Sequence, residues 1–333
     1  MRLKTILPAA ASAVALTLAI SSAHAETWRM SHKMPADSVE GELFQMFADL
    51  VAEKTDGDIT VNVFPSEQLG QDDTILEQLQ FGTVHLYLEG FTYLQKWVDD
   101  VKWSSAPFLF DDREHYARFM QSDVVEGWLE QIEEEANITV IGDVAAFVRG
   151  PYRVMVSERD WETLEEMQGI RIRMHPDELA ANAWTHLGAE VRTLGWTEVY
   201  EAIDRGIVEA VNSPMALVEA MRFYEVAPHI VRHDEYPQGM TFMVNSDAWN
   251  SLSEENRQAI IEAHEETAAA SVARTDAIVE ESLERMQQEG VEYTEIDTTA
   301  FVERMRSFYD EAAESGEMPA DFLEAVNATR EDS

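Results

Sequence analysis

Residues 169–214 read GIRIRMHPDELAANAWTHLGAEVRTLGWTEVYEAIDRGIVEAVNSP. Arg171 and Arg173 alternate with Ile170, Ile172 and Met174, the period of a half-buried strand, so the two arginines share a face opposite the isoleucines. Pro176 opens a helix, since proline fits a first turn. A short strand at Glu190–Leu194, a helix at Thr197–Asp204 stopped by Gly206, and a strand ending at Asn212-Ser213-Pro214 follow. Strand–helix–strand–helix–strand predicts an α/β fold with an open parallel sheet, and such sheets bind ligands at the carboxyl ends of their strands. Arg173, Trp196, Asn212 and Ser213 fall at or just past those ends.

A second unit of the same kind begins at Trp28–His32. A helix follows, with Asp37 and Glu40 as a capping box and Leu43, Phe44, Phe47, Leu50 and Val51 on one face. Ile59, Val61 and Val63 alternate in a strand ended by Pro65. Asp72 and Asp73 open a helix ended by Gly82, and Val84–Glu89 is the third strand. Two helices (112–121 and 124–136) and a strand at Ile138–Ile141 lead to Gly150-Pro151, where the chain crosses to the second unit. After Pro214 a helix carrying Phe223–Val226 is expected, and Gly239–Val244 is a strand returning to the first unit. Ser253 then begins a helical run to about Gln288, about 50 Å long at 1.5 Å per residue and long enough to touch both units. A strand at Val291–Ile296 and two helices finish the chain.

Arg2 and Lys4, the apolar stretch Ala9–Ile20 and Ala23-His24-Ala25 form the pattern of a cleaved secretory signal, residues 1–25, and place the protein in the periplasm. The 333 residues contain no cysteine, so disulfides and thiol chemistry are excluded. Against 64 acidic side chains there are 24 basic ones, a net charge of −40, which makes nucleic acid and anionic lipid unsuitable partners. No nucleophile elbow, P-loop or dinucleotide fingerprint is present, and no cofactor or metal is expected. His229 and His233, four apart in a strand, lie too far from each other to share an ion and read as exposed loop-side histidines.

Several stretches together closely resemble the solute-binding subunits of tripartite ATP-independent periplasmic (TRAP) transporters. They are Gly169–Arg173, Leu187-Gly188, Glu198-Val199-Tyr200 with Gly206, Glu209 and Pro214, the run Phe64–Gly70 with Leu79 and Gly82, Ser105–Phe110, and Phe223–Val226. The resemblance spans nearly all of the chain beyond residue 25. It implies a two-domain periplasmic binding protein, a hinged trap with a long helix spanning both domains. The first domain comprises 26–150 plus 239–278 and the second 151–238 plus 279–333. It also implies an interdomain cleft for a small organic acid, membrane permease subunits as partners, and no enzymatic activity; a monomer is expected.

On this resemblance Arg173 grips the solute carboxylate, Arg153 is a second arginine twenty residues earlier, and Trp196 lines the site. Arg149 is a weaker candidate. Arginine's planar fork suits a carboxylate, whereas Arg171 reads as a surface arginine among abundant acids. Asn212 and Ser213 stand where the family often has Glu-Asn. Lys33, His32, Asp72 and Glu89 are candidates from loops facing the cleft, and Glu235 and Tyr236 from the crossing near Pro237. A C4-dicarboxylate, a sugar acid, a keto or hydroxy acid and a zwitterion such as ectoine all suit an arginine clamp; Glu89, Asn212 and Ser213 favour a hydroxylated acid. A binding protein of another transporter or chemoreceptor, or a secreted α/β enzyme acting on a carboxylate, are the alternatives.

Overall fold

The computed structural model describes residues 25–330; the secretory-signal pattern lies almost wholly outside them. The first part of the chain runs β1 (Glu26–Ser31), α1 (Val39–Lys54), β2 (Ile59–Phe64), α2 (Asp72–Gln80), β3 (Leu86–Glu89), α3 (Arg113–Met120), α4 (Asp123–Ala136) and β4 (Ile138–Val140). It continues with β5 (Arg153–Ser157), α5 (Leu164–Met167), β6 (Arg171–Met174), α6 (Glu178–His186), β7 (Glu190–Thr193), α7 (Val199–Asp204), β8 (Ala210–Pro214) and β9 (His229–Arg232). Then come β10 (Thr241–Asn245), α8 (Ser246–Ser251), α9 (Glu254–Gln288), β11 (Glu292–Glu295), α10 (Thr299–Ser315) and α11 (Phe322–Ala328).

These strands form two sheets, ordered β2-β1-β3-β10-β4 and β11-β9-β5-β8-β6-β7. Both are mixed rather than purely parallel. β10 returns to the first sheet antiparallel to β3 and β4, and β5 runs antiparallel to β8 and β9. A parallel βαβ pair needs a helical crossover. Each of these strands instead enters its sheet directly from a segment crossing between the lobes. The crossings pair with each other: Arg149 N–H donates to the Gln238 carbonyl at 3.1 Å, and Met240 N–H to that of Phe147 at 2.9 Å.

The helix after β1 is capped by Ser38, which accepts from Gly41 N–H, and not by an Asp37–Glu40 box. Glu40 is buried instead, for a reason that belongs to the site. Residues 215–226 form 3-10 turns (Met215–Leu217 and Phe223–Glu225) in place of the expected helix. Arg222, at φ +58, breaks any longer run. The C-terminal residues expected with the second domain also reach the first: Phe322 packs on Trp103, Phe119 and Trp128, and the Val326 carbonyl meets the His115 ring at 2.9 Å.

Helix α9 has 35 residues. Ile260, Ala263 and Ala268 join the core beneath the first sheet, and Val279 and Met286 that of the second. Between them it buries small polar residues. The Thr267 and Thr275 hydroxyls bond back to the carbonyls four residues earlier at 2.7 Å, and Ser271 accepts from Val148 N–H at 3.1 Å.

His233, expected at the surface, is buried between Trp184 and Phe108. His32 and His264 are buried too, against Phe44 and Phe242. Gly142, at φ +68, lies so close that a Cβ there would sit 2.3 Å from the His264 ring. Burial pushes all three imidazoles down to about 4 from 6.5. A folded-state value below the unfolded one means that unfolding takes up protons between pH 6.5 and 4. Stability therefore falls with acidification, by up to about 1.4 kcal/mol per pH unit for each ring. Urea titrations should show wild type losing stability over that window more steeply than His264→Leu, by one proton's worth of slope. Parallel curves would refute the assignment.

Candidate functional site

The carboxyl ends of β3, β6 and β8 and the paired crossings meet around a narrow cavity of about 40 Å³ between the sheets. Lys33, Glu89, Tyr93, Arg149, Arg153, Arg173, His175, Trp196, Asn212 and Gln238 contribute the polar wall and its one indole; Met34, Pro214 and Leu217 contribute the apolar part. Hydrogen bonds tie the lobes together around it: Thr197 to Glu67 at 2.9 Å and Ser105 to Asp177 at 3.1 Å.

Four cations face this space, and their partners differ. Lys33 spends its three N–H groups on Tyr93 Oη (2.7 Å), Asp72 (2.9 Å) and Glu89 (3.3 Å). Burial opposes its charge, but those neighbours hold it firmly protonated. Arg149 grips Glu40 in bidentate fashion at 2.8 and 3.0 Å and Glu89 at 2.6 Å. Burial pushes the Glu89 carboxyl up, yet Arg149 and Lys33 outweigh it and the net value is about 2. Arg153 gives its Nε–H to Glu235 at 2.8 Å and its terminal nitrogens to Gln238 and Asn212, with the Tyr236 ring 4.8 Å away.

Arg173 is different. It is only 3% exposed, yet among the described residues no carboxylate lies within ion-pair distance. Its Nε–H goes to the Leu194 carbonyl at 2.9 Å and its guanidinium lies 5.2 Å over the Trp196 ring. Burial lowers it to about 10. A buried cation with one neutral acceptor and an aromatic face is poised for an anion. Arg171, two residues earlier on the same strand, is half-buried and sits 3.7 Å from Glu209 at the opposite end of β6, away from the cavity.

Arg173, Arg153, Trp196, Asn212, Glu89 and Lys33 of the sequence candidates thus meet around one cavity, joined by Arg149. The others do not line it. Ser213 follows Asn212 along β8 and so faces the other way; its hydroxyl bonds to the Pro214 carbonyl. His32 packs on Phe44 behind β1. Asp72 accepts from Tyr87 and holds Lys33 from behind. Tyr236 lies under the far side of Arg153. Glu235 is buried behind the wall, where it accepts from Arg153, from Asn212 Nδ2 and from Trp184 Nε1, the last two at 2.6 Å. It positions Arg153 and Asn212. Arg153 in turn is a different kind of cation from the one expected, because Glu235 already neutralises it.

Sequence reasoning missed Tyr93, His175, Gln238 and Glu40. Glu40 carries no local mark, since its partner lies 109 residues away. Gln238 is two residues past Tyr236, within the crossing already singled out.

The sequence pattern of the family described as bacterial extracellular solute-binding protein, family 7, matches residues 30–315. A solute-binding protein of Roseobacter denitrificans is 26% identical over 298 residues, covering 87% of this chain and 89% of the relative. The sialic acid-binding periplasmic protein of Vibrio cholerae is 24% identical over 309 residues, 93% of this chain and 95% of that one. A TRAP periplasmic solute-binding protein of Chromohalobacter salexigens, solved with bound D-glucuronate, shares the fold with a TM-score of 0.83 at 23% identity, over 91% of this chain and 100% of that one. All three are solute-binding proteins rather than enzymes, those of Vibrio and Chromohalobacter periplasmic, and among the described residues of this chain no helix is long and apolar enough to cross a membrane. With the family pattern matched along most of its length, the chain belongs to the bacterial extracellular solute-binding proteins of family 7, the small-organic-acid receptors that serve TRAP permeases.

Proposed function

We propose that this chain, exported by the signal at residues 1–25, captures a sugar acid in the interdomain cavity and delivers it to its permease. The carboxylate of the solute sits on Arg173, the indole of Trp196 packs against its body, and Asn212, Glu89 and Gln238 meet its hydroxyls. One observation carries this reading: of four cavity cations, Arg173 has no acid partner among the described residues. One open cation matches one carboxylate. The second carboxylate of a dicarboxylate would meet Glu89, buried and ionised, with every nearby cation already paired. Hydroxyl groups, by contrast, suit a wall of carboxylate, amide and phenol oxygens. The sugar acids bound to structurally similar proteins, D-glucuronate among them, support the class.

A thermal-shift series with D-glucuronate, D-galacturonate, galactonate, sialate, succinate and ectoine tests it, followed by calorimetry on the best. A hexuronate or aldonate is expected to give the largest shift. If succinate or ectoine stabilised the protein and no sugar acid did, the solute class would be wrong.

A further inference from the structure

The solute cavity has a second space behind one wall. Arg153 and Gln238 line the solute cavity on one side and, on the other, a cavity of about 310 Å³ at the back of the crossings. Both lobes build that rear cavity: Phe110 and Tyr116 from one, Tyr152 and Arg232 from the other, with Tyr236 between. The Tyr116 and Tyr236 rings are 5% exposed, and among the described residues their hydroxyls form no hydrogen bond. Aromatic faces with free hydroxyls form a surface suited to a sugar or aromatic ring.

Arg153 cannot move easily, because Glu235 and Asn212 hold it. Gln238 is only half-buried, and among the described residues its side chain is held by one bond, from Arg153. The geometry of the sheet sets the distance. Arg173 on β6 and Arg153 on β5 flank β8, two strand spacings apart and three residues out of register along it, opposite Val211 and Pro214, roughly 14 Å between backbones. Both arginines and Gln238 line one cavity, so an acid anchored on Arg173 has the Arg153–Gln238 wall within reach of its far end.

We propose that the rear cavity is a closed-off continuation of the solute site, with the Gln238 side chain as the partition that limits solute length. Resting on the sugar-acid reading, this assigns Gln238 as a specificity determinant: removing it admits acids extended by a further ring. The loss of its carboxamide leaves an Arg153 N–H facing a space that water can enter, so the arginine stays solvated.

Calorimetry on wild type, Gln238→Ala and Gln238→Leu compares short acids (D-glucuronate, D-gluconate) with extended ones (p-nitrophenyl β-D-glucuronide, lactobionate). Wild type should favour the short member of each pair. Gln238→Ala should narrow that preference by about tenfold or more for at least one pair. Gln238→Leu fills the space without the hydrogen bond; it should weaken short and extended acids alike and keep the ratio between them. Should the alanine variant fail to fold, Gln238→Ser serves in its place. An unchanged ratio in the truncated variant, equal narrowing in the leucine variant, or a wild type that already binds extended acids as well as short ones overturns the proposal. If wild type ignores both sugar acids but binds another acid, the solute class is at fault, and the same ratio is measured on that acid and its chain-extended homologue. If no acid binds at all, both ideas fall together.

Discussion

Replacing Arg173 by alanine is expected to weaken solute binding by at least about a hundredfold. Truncating one member of a desolvated, hydrogen-bonded charge pair costs about 3–5 kcal/mol, and each 1.4 kcal/mol is about tenfold in affinity. Lys33, Arg149 and Arg153 cannot substitute, because each is already committed to buried carboxylates. Arg171→Ala should change affinity less than about threefold, since an exposed pair is worth about 0–1 kcal/mol. Arg173→Met adds a readout of opposite sign. Without solute, wild type holds a desolvated guanidinium that lacks an acid partner among the described residues; removing that charge should raise the unfolding temperature while abolishing the solute-induced shift. Calorimetry on the three variants, with melting curves in the absence of solute, decides. Comparable losses at 171 and 173 would break the assignment.

The second large effect belongs to Arg149→Ala. It should destabilise the protein by about 3–5 kcal/mol, because Glu40 and Glu89 would be left buried with only Lys33 nearby, 3.3 Å from Glu89. Burial already pushes the Glu40 carboxyl up in wild type, with Arg149 opposing it. In the variant both folded-state carboxyls would titrate above their unfolded range. Stability so gained is present below the unfolded value, about 4.5, and is lost as pH rises through the folded one. The gap between variant and wild type should therefore shrink on acidification from pH 7 toward 4. Glu40→Gln combined with Arg149→Met should recover part of the loss at neutral pH. Urea unfolding across that range measures it; a gap that widens on acidification would remove the double carboxylate from the account.

The strand alternation around Arg171 and Arg173 made the α/β character of the fold readable, because it is a local pattern; the resemblance, not the alternation, singled out Arg173 as the proposed anchor. The alternation alone does not separate the two arginines. They share a face, and only the placement of the opposite lobe over the carboxyl end of β6 buries one and leaves the other beside Glu209. The same two-residue period, applied to Asn212 and Ser213, admits just one of them to the cavity. The compensating acids stayed hidden for another reason. Glu40 meets Arg149 across 109 residues and Glu235 meets Arg153 across 82, and tertiary pairing leaves no trace in spacing. Glu40 resembled a helix cap because an acid in a first turn is favourable on its own.

Helix α9 behaves mechanically as a keyed shaft. It touches one core through Ile260 and Ala263 and the other through Val279 and Met286, with Ser271 clipped to the crossing at Val148. Each residue of an α-helix turns the next by about 100°. Losing or gaining one residue between Ala263 and Val279 would swing the far face out of its socket, whereas the surface loops tolerate such changes. Substitution can vary that stretch, but its length is quantised.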